Sequence, residues 1–252
     1  IAQHGGNYGQ HKTHWSTIHE HKISHKFLSW GFKFKNNTAP LGIIKKKLKK
    51  FKYNKDNKLI LFETRPGKTY ADNITIDNGA INFSNYIKKI YDFFSNLKDV
   101  AILNELRVKL HYQDYGLYEK EILLRSNNKI RFIDSASSTR LFYNKAKLVI
   151  HTFPGSGHLE AMALNTPQLI FFVNDINLLK PKTKKYFIQF KKLGIFHDNP
   201  ISLINKLKEI YKDPGKWWFS SKVQVTRRKY AKEFAILNKN LVNDIVKNLK
   251  KI

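Results

Sequence analysis

The chain has 252 residues and a formal net charge of +27, from 46 Lys and Arg residues against 19 Asp and Glu residues. Hydrophobic residues make up 42% of it and aromatic residues 13%, which is enough to build a core and excludes an intrinsically disordered protein. The absence of Cys excludes disulfides, thiol nucleophiles and cysteine-bearing zinc sites, and no apolar run reaches the roughly 18 residues that predict a membrane-spanning helix.

The start of the chain predicts a fragment. The chain begins at Ile1 and its one Met is Met162, whereas a reading frame starts at Met. Residues 1–6 read as the end of a β-strand that runs into a Gly loop. We therefore expect residues 1–34, which hold six of the ten His residues and end in a short apolar strand at 27–31, to be the last elements of a preceding Rossmann-like domain.

The middle of the chain alternates between strands and helices. Residues 35–57 form a basic, Lys-rich linker by their composition. From residue 58 onward, short continuous apolar runs predict buried strands, and apolar residues at helical spacing predict helices. The predicted strands are 59–62, 107–111, 130–134, 148–152 and 168–173. The predicted helices are 81–97, 137–146 with Ser138 as its cap, 158–164, and about 182–193, 201–211 and 221–250; loop signals lie at 64–67, 112–116 and 153–157.

Buried strands that alternate with helices predict an α/β fold, in which a Rossmann-like, doubly wound parallel sheet has helices on both faces. We assign this domain to residues 58–220 and a C-terminal helix to residues 221–252. Trp217, Trp218 and Phe219 are predicted to pack on the sheet or on another domain, with a membrane-edge contact as the alternative. Ligands bind beyond the carboxyl ends of the strands in such sheets, so functional residues are expected there.

The strand at 148–152 runs through a Gly-Ser-Gly turn into a helix, which favours a phosphate-binding loop. Gly155 and Gly157 let backbone N–H groups approach a ligand, the helix N-terminus carries partial positive charge, and Ser156 adds a hydroxyl. Glu160, in the first turn, is placed to accept hydrogen bonds from ribose hydroxyls. The alternative is a plain tight turn, in which Ser156 caps the helix and Glu160 is a capping-box residue.

Two stretches carry a family resemblance. Residues 149–172 resemble the donor-binding motif in the C-terminal half of GT-B glycosyltransferases and of sugar-nucleotide 2-epimerases, and Gly157-His158-Leu159-Glu160 is similar to a stretch of Kdo transferases, which use CMP-sugars. The loop His4-Gly5-Gly6-Asn7-Tyr8-Gly9, the segment at 19–23, the strand end Trp30-Gly31 and the segments 107–111 and 114–116 resemble a family of bacterial surface-carbohydrate transferases. The resemblance covers most of residues 1–175.

The resemblance implies the C-terminal, donor-binding half of a GT-B fold. The reaction would transfer a sugar from a CMP-, UDP- or GDP-linked donor to a glycan or lipid-linked glycan acceptor of the O-antigen, capsule or lipopolysaccharide type, without a metal or another cofactor. It implies a cytoplasmic protein with a peripheral contact at the anionic inner-membrane face. A nucleotide-sugar 2-epimerase and a polyol-phosphate transferase are the alternatives of the same class.

The resemblance also assigns roles to single residues. Arg107 and His158 are expected to offset leaving-phosphate charge as cations, and His111 to contact the donor. His4 is a candidate for acid/base work because an unperturbed imidazole titrates near neutrality, and Glu20 is a weaker catalytic candidate. The remaining donor-binding residues predicted are Gly5, Gly6, Thr152, Gly155, Ser156, Gly157 and Glu160. In GT-B enzymes the base usually comes from the N-terminal domain, so it can lie outside this chain.

Two further interpretations remain open. The spacings of His11 with His14 and of His21 with His25, together with Glu20, could bind zinc or nickel on one helical face. The charge itself could indicate a nucleic-acid-binding module. Only seven of the 46 basic residues are Arg, the residue favoured for bidentate contacts to phosphate and guanine, so we expect no specific nucleic-acid partner. Codon bias in an A/T-rich genome, or a basic surface for anionic lipid or anionic sugar, explains the lysines better.

Overall fold

A computed structural model of the chain describes residues 1–45, 51–64, 79–112, 116–153, 155–171 and 176–250. Parts of six predicted features lie outside these residues: positions 46–50 of the basic linker, 65–67 and 113–115 of two loops, Pro154 of the phosphate-binding loop, the end of the last strand at 172–173, and 251–252 of the C-terminal helix.

Short strands and longer helices alternate along the described chain. Its β-strands are β1 (Phe27–Ser29), β2 (Thr38–Pro40), β3 (Leu59–Glu63), β4 (Leu106–Lys109), β5 (Ala146–His151), β6 (Gln168–Phe171) and β7 (Phe196–His197). Its α-helices are α1 (Trp15–Ile23), α2 (Gly79–Asn96), α3 (Val100–Glu105), α4 (Glu119–Ser126), α5 (Arg140–Tyr143), α6 (Ser156–Leu164), α7 (Pro181–Lys192), α8 (Pro200–Ile210), α9 (Pro214–Trp218), α10 (Ser221–Phe234) and α11 (Leu241–Leu249).

A five-stranded parallel sheet in the order β4-β3-β5-β6-β7 forms the centre of the described chain. The chain runs outward from β3 to β4 and then returns to place β5 on the other side of β3. This reversal is a topological switch point, where the two strands leave a crevice between their carboxyl ends. The α/β, doubly wound parallel sheet predicted from the sequence is confirmed, and its switch point lies between β3 and β5.

Alternate residues of the buried strands point to opposite faces of the sheet, and helices cover both faces. Ile60, Phe62 and Ile150 pack in one core with side chains of α2 and α8. Leu61 and Val149 face the other side, together with Tyr143 of α5. Because every residue of β5 is buried, a continuous apolar run was the right signal for this strand.

The first 45 residues pack against the C-terminal helices. β1 and β2 pair in parallel, and Phe27 and Trp30 join a core with Met162, Tyr230 and other aromatic residues of the C-terminal helices. The Trp30 backbone N–H donates to Gln3 Oε1 at 2.8 Å. Residues of the predicted linker also take part, since Tyr53 donates its hydroxyl to Asp213 Oδ1 at 2.8 Å. Trp218 is buried in the core next to α10.

Three predicted elements are wrong in extent. The segment at 130–134 is no strand, because only Phe132 bridges to β4, at Val108. The predicted helix 137–146 is reduced to α5, whose cap position is Thr139 rather than Ser138, because the chain has already entered β5 at Ala146. The predicted helix 221–250 is two helices, because the Ile236 backbone leaves the helix to bond Trp30 and Ile43.

No helix in the described ranges is both long enough and apolar enough to cross a lipid bilayer.

Several buried histidines are held neutral, which makes the fold sensitive to acid. Burial, with smaller contributions from nearby cations, lowers the pKa of His11 and His14 to about 4 and that of His158 to about 3. Burial also lowers the pKa of His197 to about 4. The unfolded chain binds protons at these rings from about pH 6.5 downward, and the folded chain does not until the lower pKa is reached.

We therefore expect the free energy of unfolding to be constant above about pH 6.5 and to fall as the pH drops toward 4, by up to about 1.4 kcal/mol per pH unit for each of these rings. Urea denaturation at several pH values measures it. The variant His197→Gln should reduce the slope, whereas His19→Gln, at an exposed position, should leave it unchanged. A flat profile for the wild-type chain would contradict the neutral state of these rings.

Candidate functional site

Glu63 and His151 meet at the switch point of the sheet. They are the last residues of β3 and β5 and are direct partners in the strand register. His151 Nδ1 donates to Glu63 Oε2 at 2.8 Å, and the Thr139 hydroxyl donates to Glu63 Oε1 at 3.0 Å. Burial raises the pKa of Glu63, but the His151 hydrogen bond and charge, Thr139 and Lys109 outweigh it, so the pKa lies below its usual value. Glu63 is therefore a buried carboxylate anion.

The N-terminus of α6 lies directly against this pair. A Cβ atom on Gly157 would come within 2.7 Å of Glu63 Oε2 and 3.1 Å of His151 Cε1, so a larger residue here would displace the Glu63 carboxylate. Gly155 is the N-cap residue and no side chain caps this end of the helix. The alternative in which Ser156 is the cap is wrong, because Ser156 is the first helical residue. An uncapped helix N-terminus has unpaired backbone N–H groups and partial positive charge, and the Ser156 hydroxyl lies beside them.

Glu160 lies on α6 with two cations on its carboxylate. Its side chain is 4% exposed, and its Oε1 and Oε2 lie 2.5 Å from Lys45 Nζ and 2.7 Å from Arg140 Nε. The capping-box alternative is wrong, since these cations and not the helix N-terminus hold the carboxylate. A carboxylate has about four lone-pair sites, so one bond on each oxygen leaves capacity for further donors.

His4 and Glu20, predicted separately, lie side by side. His4 Nε2 is 3.2 Å from Glu20 Oε1, and the Tyr8 hydroxyl donates to the same oxygen at 2.8 Å. Tyr8 Oη is also 2.5 Å from His4 Nε2, so its oxygen accepts the ring hydrogen. Burial and the Glu20 carboxylate raise the pKa of Tyr8 above its usual value, which keeps the phenol protonated. This arrangement selects the Nε2–H tautomer and leaves Nδ1 as an acceptor.

The two glycine loops touch each other. A Cβ on Gly6 would lie 2.5 Å from the Gly155 carbonyl carbon, and a Cβ on Gly5 would lie 4.0 Å from Ser156 Oγ. The loop that carries His4 therefore lies against the start of α6. The sequence predicted both loops as parts of one site, and the structure brings them together.

A polar cavity of about 280 Å³ opens beside the switch point, at the carboxyl ends of β3 and β4. Glu63, Lys109 and His111 line it, together with the segment 135–139 and Phe153. Lys109 donates from Nζ to the Ser135 carbonyl oxygen at 2.8 Å, which fixes the ammonium group at the wall of the cavity. Of the predicted donor-binding residues, His111 is thus placed at a cavity large enough for a small polar group.

Three predicted donor-binding residues are placed elsewhere. His158 is fully buried, its Nε2 lies 3.2 Å from Tyr230 Oη, and its low pKa keeps it neutral, so it cannot supply positive charge. Arg107 donates to the Asn104 and Leu106 carbonyl oxygens, so its guanidinium turns toward the amino end of β4, away from the site. Thr152 is buried and donates its hydroxyl to the Glu63 carbonyl oxygen at 2.8 Å, which joins β3 to β5.

The histidine spacings do not assemble a metal site. The described ranges contain no group of three His, Asp or Glu side chains that could hold a metal ion. His21 uses both ring nitrogens, toward the Thr17 carbonyl oxygen and the Thr38 hydroxyl. His14 is the N-cap residue of α1 and accepts from the Thr17 N–H. The zinc or nickel interpretation is therefore wrong for the described residues.

Sequence reasoning missed five residues that the site contains: Lys45, Tyr8, Glu63, Arg140 and His151. Glu63 directly follows the predicted strand 59–62 and His151 is the next-to-last residue of the predicted strand 148–152, so their polar side chains after apolar runs were a usable signal. Pairing them required the strand order, which the sequence does not contain. Lys45 and Arg140 gave no signal, because nothing marks one lysine among many or one arginine in a short helix.

The family model described as LIC12162 family transferase matches residues 1–249 of the chain. No curated protein matches the chain. Among the solved structures that do, MurG of Acinetobacter baumannii is 9% identical, with a TM-score of 0.49 over 94% of this chain and 63% of that chain. Spinosyn forosaminyltransferase SpnP is 12% identical, with a TM-score of 0.44 over 90% of this chain and 50% of that one. The wall teichoic acid polymerase TagF is 15% identical, with a TM-score of 0.37 over 79% and 44%.

This chain therefore spans less than two thirds of the length of each of these proteins.

The contact between the two glycine loops can be tested with neighbouring alanine variants. Gly6→Ala places a methyl group against the Gly155 backbone, which cannot rotate away, so we expect the free energy of unfolding to fall by about 1–3 kcal/mol. Gly5→Ala meets nothing closer than 4.0 Å and should stay within about 0.5 kcal/mol of the wild-type chain. Urea denaturation of the three proteins measures this. Equal stability of both variants would mean that the loops are not in contact.

Proposed function

This chain belongs to the LIC12162 family of transferases, and we propose from that premise that it transfers a sugar from a nucleotide-sugar donor to a glycan acceptor of a cell surface. The observation that carries the proposal is the position of the α6 N-terminus at the switch point, with the Ser156 hydroxyl at its tip and the Glu160 carboxylate within its first turns. An anion-binding helix end beside a hydroxyl-binding carboxylate fits the phosphate and the ribose of one nucleotide.

The donor phosphate lies, in this proposal, at the α6 N-terminus. Backbone N–H groups, the helix dipole and Ser156 Oγ stabilise the charge that grows on the phosphate as the bond to the sugar breaks. Because Gly6 and Gly155 have no side chains, the two loops approach each other closely at this end of the helix. Glu63 anchors the helix through its contact with Gly157, and the hydrogen bond from His151 and the nearby Lys109 stabilise its charge.

Glu160 binds the ribose hydroxyls of the donor. Arg140 and Lys45 hold the carboxylate in place, since two cations offset the cost of burying its charge. The remaining lone pairs accept from the ribose. The polar cavity lined by Lys109 and His111 extends to Thr139, the residue before Arg140, and takes the nucleobase or the transferred sugar.

His4 acts as the general base toward the acceptor. Its side chain is 71% exposed, and it sits on a loop that contacts the phosphate-binding loop. With Nε2–H bonded to Tyr8 and Glu20, Nδ1 takes the proton from the acceptor hydroxyl. That oxygen bonds to the anomeric carbon, the bond from this carbon to the phosphate oxygen breaks, and the nucleotide leaves with the electron pair.

Calorimetric titration with CMP, UDP and GDP tests the donor site. We expect one of the three to bind the chain and the others to bind at least about tenfold more weakly, because one polar cavity selects one base. Failure of all three to bind would contradict the nucleotide-sugar donor. If a nucleotide-sugar is converted to its epimer without an acceptor, the protein is an epimerase and not a transferase.

The role of Glu160 is tested by removing its charge. Glu160→Gln should weaken binding of the preferred ribonucleotide by about tenfold or more, because a charged acceptor of the ribose hydroxyls becomes a neutral one. The wild-type chain should bind the 2′,3′-dideoxynucleotide more weakly than the ribonucleotide, and the variant should discriminate less between them. Glu209→Gln, on the exposed partner of Lys206, is the matched control. Undiminished discrimination in the Glu160 variant would rule out a ribose contact.

The role of His4 is tested by kinetics. His4→Ala should lower kcat by about 100-fold or more and leave the nucleotide Kd unchanged, because a general base contributes to the transition state and not to donor binding. His19→Ala, at an exposed position of the same helix-loop region, should keep full activity. A variant at His4 that retains wild-type kcat would place the base elsewhere.

A further inference from the structure

Lys109 is a buried cation whose hydrogen-bonding capacity the described residues do not fill. It is 7% exposed, and its ammonium group makes one hydrogen bond to these residues, from Nζ to the Ser135 carbonyl oxygen at 2.8 Å. An ammonium group has three donors, so two remain. Burial lowers the pKa of Lys109, although the nearby carboxylates of Glu63 and Asp134 act in the opposite direction. The polar cavity that Lys109 lines is where a further acceptor can reach this group.

The cavity lies on the ribose side of the proposed nucleotide. Thr139 lines it, and the next residue, Arg140, donates to the Glu160 carboxylate that accepts from the ribose in the proposed function. Phe153, in the loop that leads into α6, lines it as well. The transferred sugar has to reach His4, and none of the described residues that line the cavity belongs to the loop of His4. The cavity therefore fits the nucleobase better than it fits the sugar.

The walls of the cavity suit a planar ring. Tyr112 lines the cavity with a side chain that is 64% exposed, and its ring centroid lies 4.4 Å from that of His111. An exposed tyrosine ring offers a flat face on which a base stacks. Stacking is available to every base, since each has such a face, so it holds a base without choosing among them. The choice depends on the polar groups of the cavity.

The charges around Lys109 favour a neutral acceptor over a second anion. Glu63 lines the cavity as a carboxylate. The Asp134 carboxylate accepts from the Ala136 N–H and the Ser137 hydroxyl, which belong to two further residues of the wall. A second phosphate, or a carboxylate on the sugar, would be repelled by both acidic groups. A carbonyl oxygen accepts from the ammonium group and carries no net charge, so it avoids this repulsion.

We propose that this cavity is the nucleobase subsite, and that Lys109 selects a base with a carbonyl oxygen. Uracil at O4 and guanine at O6 carry a carbonyl oxygen where cytosine and adenine carry an amino group. An ammonium group has donors only, so an amino group at that position meets it donor against donor. Tyr112 stacks on the base. The inference rests on the proposed nucleotide-sugar donor and narrows it to a uridine or a guanosine nucleotide.

Calorimetric titration with two matched pairs of nucleotides tests the selection. We expect the chain to bind UDP at least about tenfold more tightly than CDP, or GDP at least about tenfold more tightly than ADP, and the pair that shows the preference identifies the base. Equal Kd values within both pairs would overturn the selection by Lys109 and leave the nucleotide site in place. If none of the four nucleotides binds, the proposed function fails, and this inference fails with it.

Removal of the ammonium group tests the residue itself. Lys109→Met keeps the length of the side chain and removes its donors. We expect the preferred nucleotide to bind at least about tenfold more weakly and its amino counterpart to change by less than about threefold, so that the preference is lost. Lys129→Met, at an exposed lysine outside the cavity, should keep the preference. An unchanged preference in the Lys109 variant would overturn the inference. Weaker binding of a nucleotide-sugar, without weaker binding of the nucleotide, would overturn it too, by placing the sugar in the cavity.

Variants of Tyr112 test the subsite at an exposed position, where a substitution does not disturb the core. Tyr112→Ala should weaken the binding of all four nucleotides by a similar factor of about fivefold or more and keep the preference, whereas Tyr112→Phe should bind as the wild-type chain does. Tyr118→Ala is the matched control, because Tyr118 is 65% exposed and does not line the cavity. Circular dichroism checks the fold of each variant. Undiminished binding by the Tyr112→Ala variant would overturn the placement of the base in this cavity.

Discussion

The hydrogen bond between Glu63 and His151 fixes the geometry on which the site depends. It joins the ends of β3 and β5 at the one place in the sheet where the chain reverses its direction of winding. The Thr152 hydroxyl adds a second link to the Glu63 backbone. Because Gly157 packs directly on the two side chains, the N-terminus of α6 is held against this hydrogen-bonded pair. The start of the helix is therefore fixed at the point where the sheet topology leaves a crevice.

The loop that carries His4 is also held in place, by polar contacts within the core that contains Trp30 and Tyr230. The Tyr230 hydroxyl donates to Gln10 Oε1 at 2.6 Å. The Trp30 backbone N–H donates to Gln3 Oε1, and the Trp30 indole N–H donates to the Gln3 carbonyl oxygen. These bonds connect the first residues of the chain to α10 and β1, so the glycine loop between Gln3 and Gln10 is fixed at both ends. The exposed His4 side chain keeps its orientation, because its backbone is fixed and Tyr8 and Glu20 hold its ring. In the proposed reaction, this exposure gives the base access to an acceptor without loss of position.

The sequence was a good guide to what depends on local pattern and a poor one to what depends on strand order or burial. The runs at 59–62 and 148–152 predicted strands correctly, because a strand covered on both faces is apolar along most of its length. The segment at 130–134 reads the same way, yet only one residue of it bridges β4. His158 follows a glycine loop as a phosphate ligand would, but Tyr230, 72 residues away, encloses it. The break before α11 depends on Trp30 and Ile43, which no window of sequence around it contains.

The distribution of the acidic residues gives the net charge a functional meaning. Glu20, Glu63, Glu105 and Glu160 are all largely buried, and each is bonded to a cation or a histidine. These four carboxylates are thus internal anchors, and the excess of lysines sets a positive potential at the surface. In the proposed function, this potential attracts the anionic nucleotide toward the helix N-terminus, where Glu160 meets its ribose. The long-range attraction falls with ionic strength, whereas the buried pairs are screened little. Added salt should consequently slow the association of the proposed nucleotide with the protein more than it weakens the contacts of the bound complex. The net charge of the chain therefore acts on the rate of binding, and the glycine loops and paired carboxylates form the contacts of the bound state.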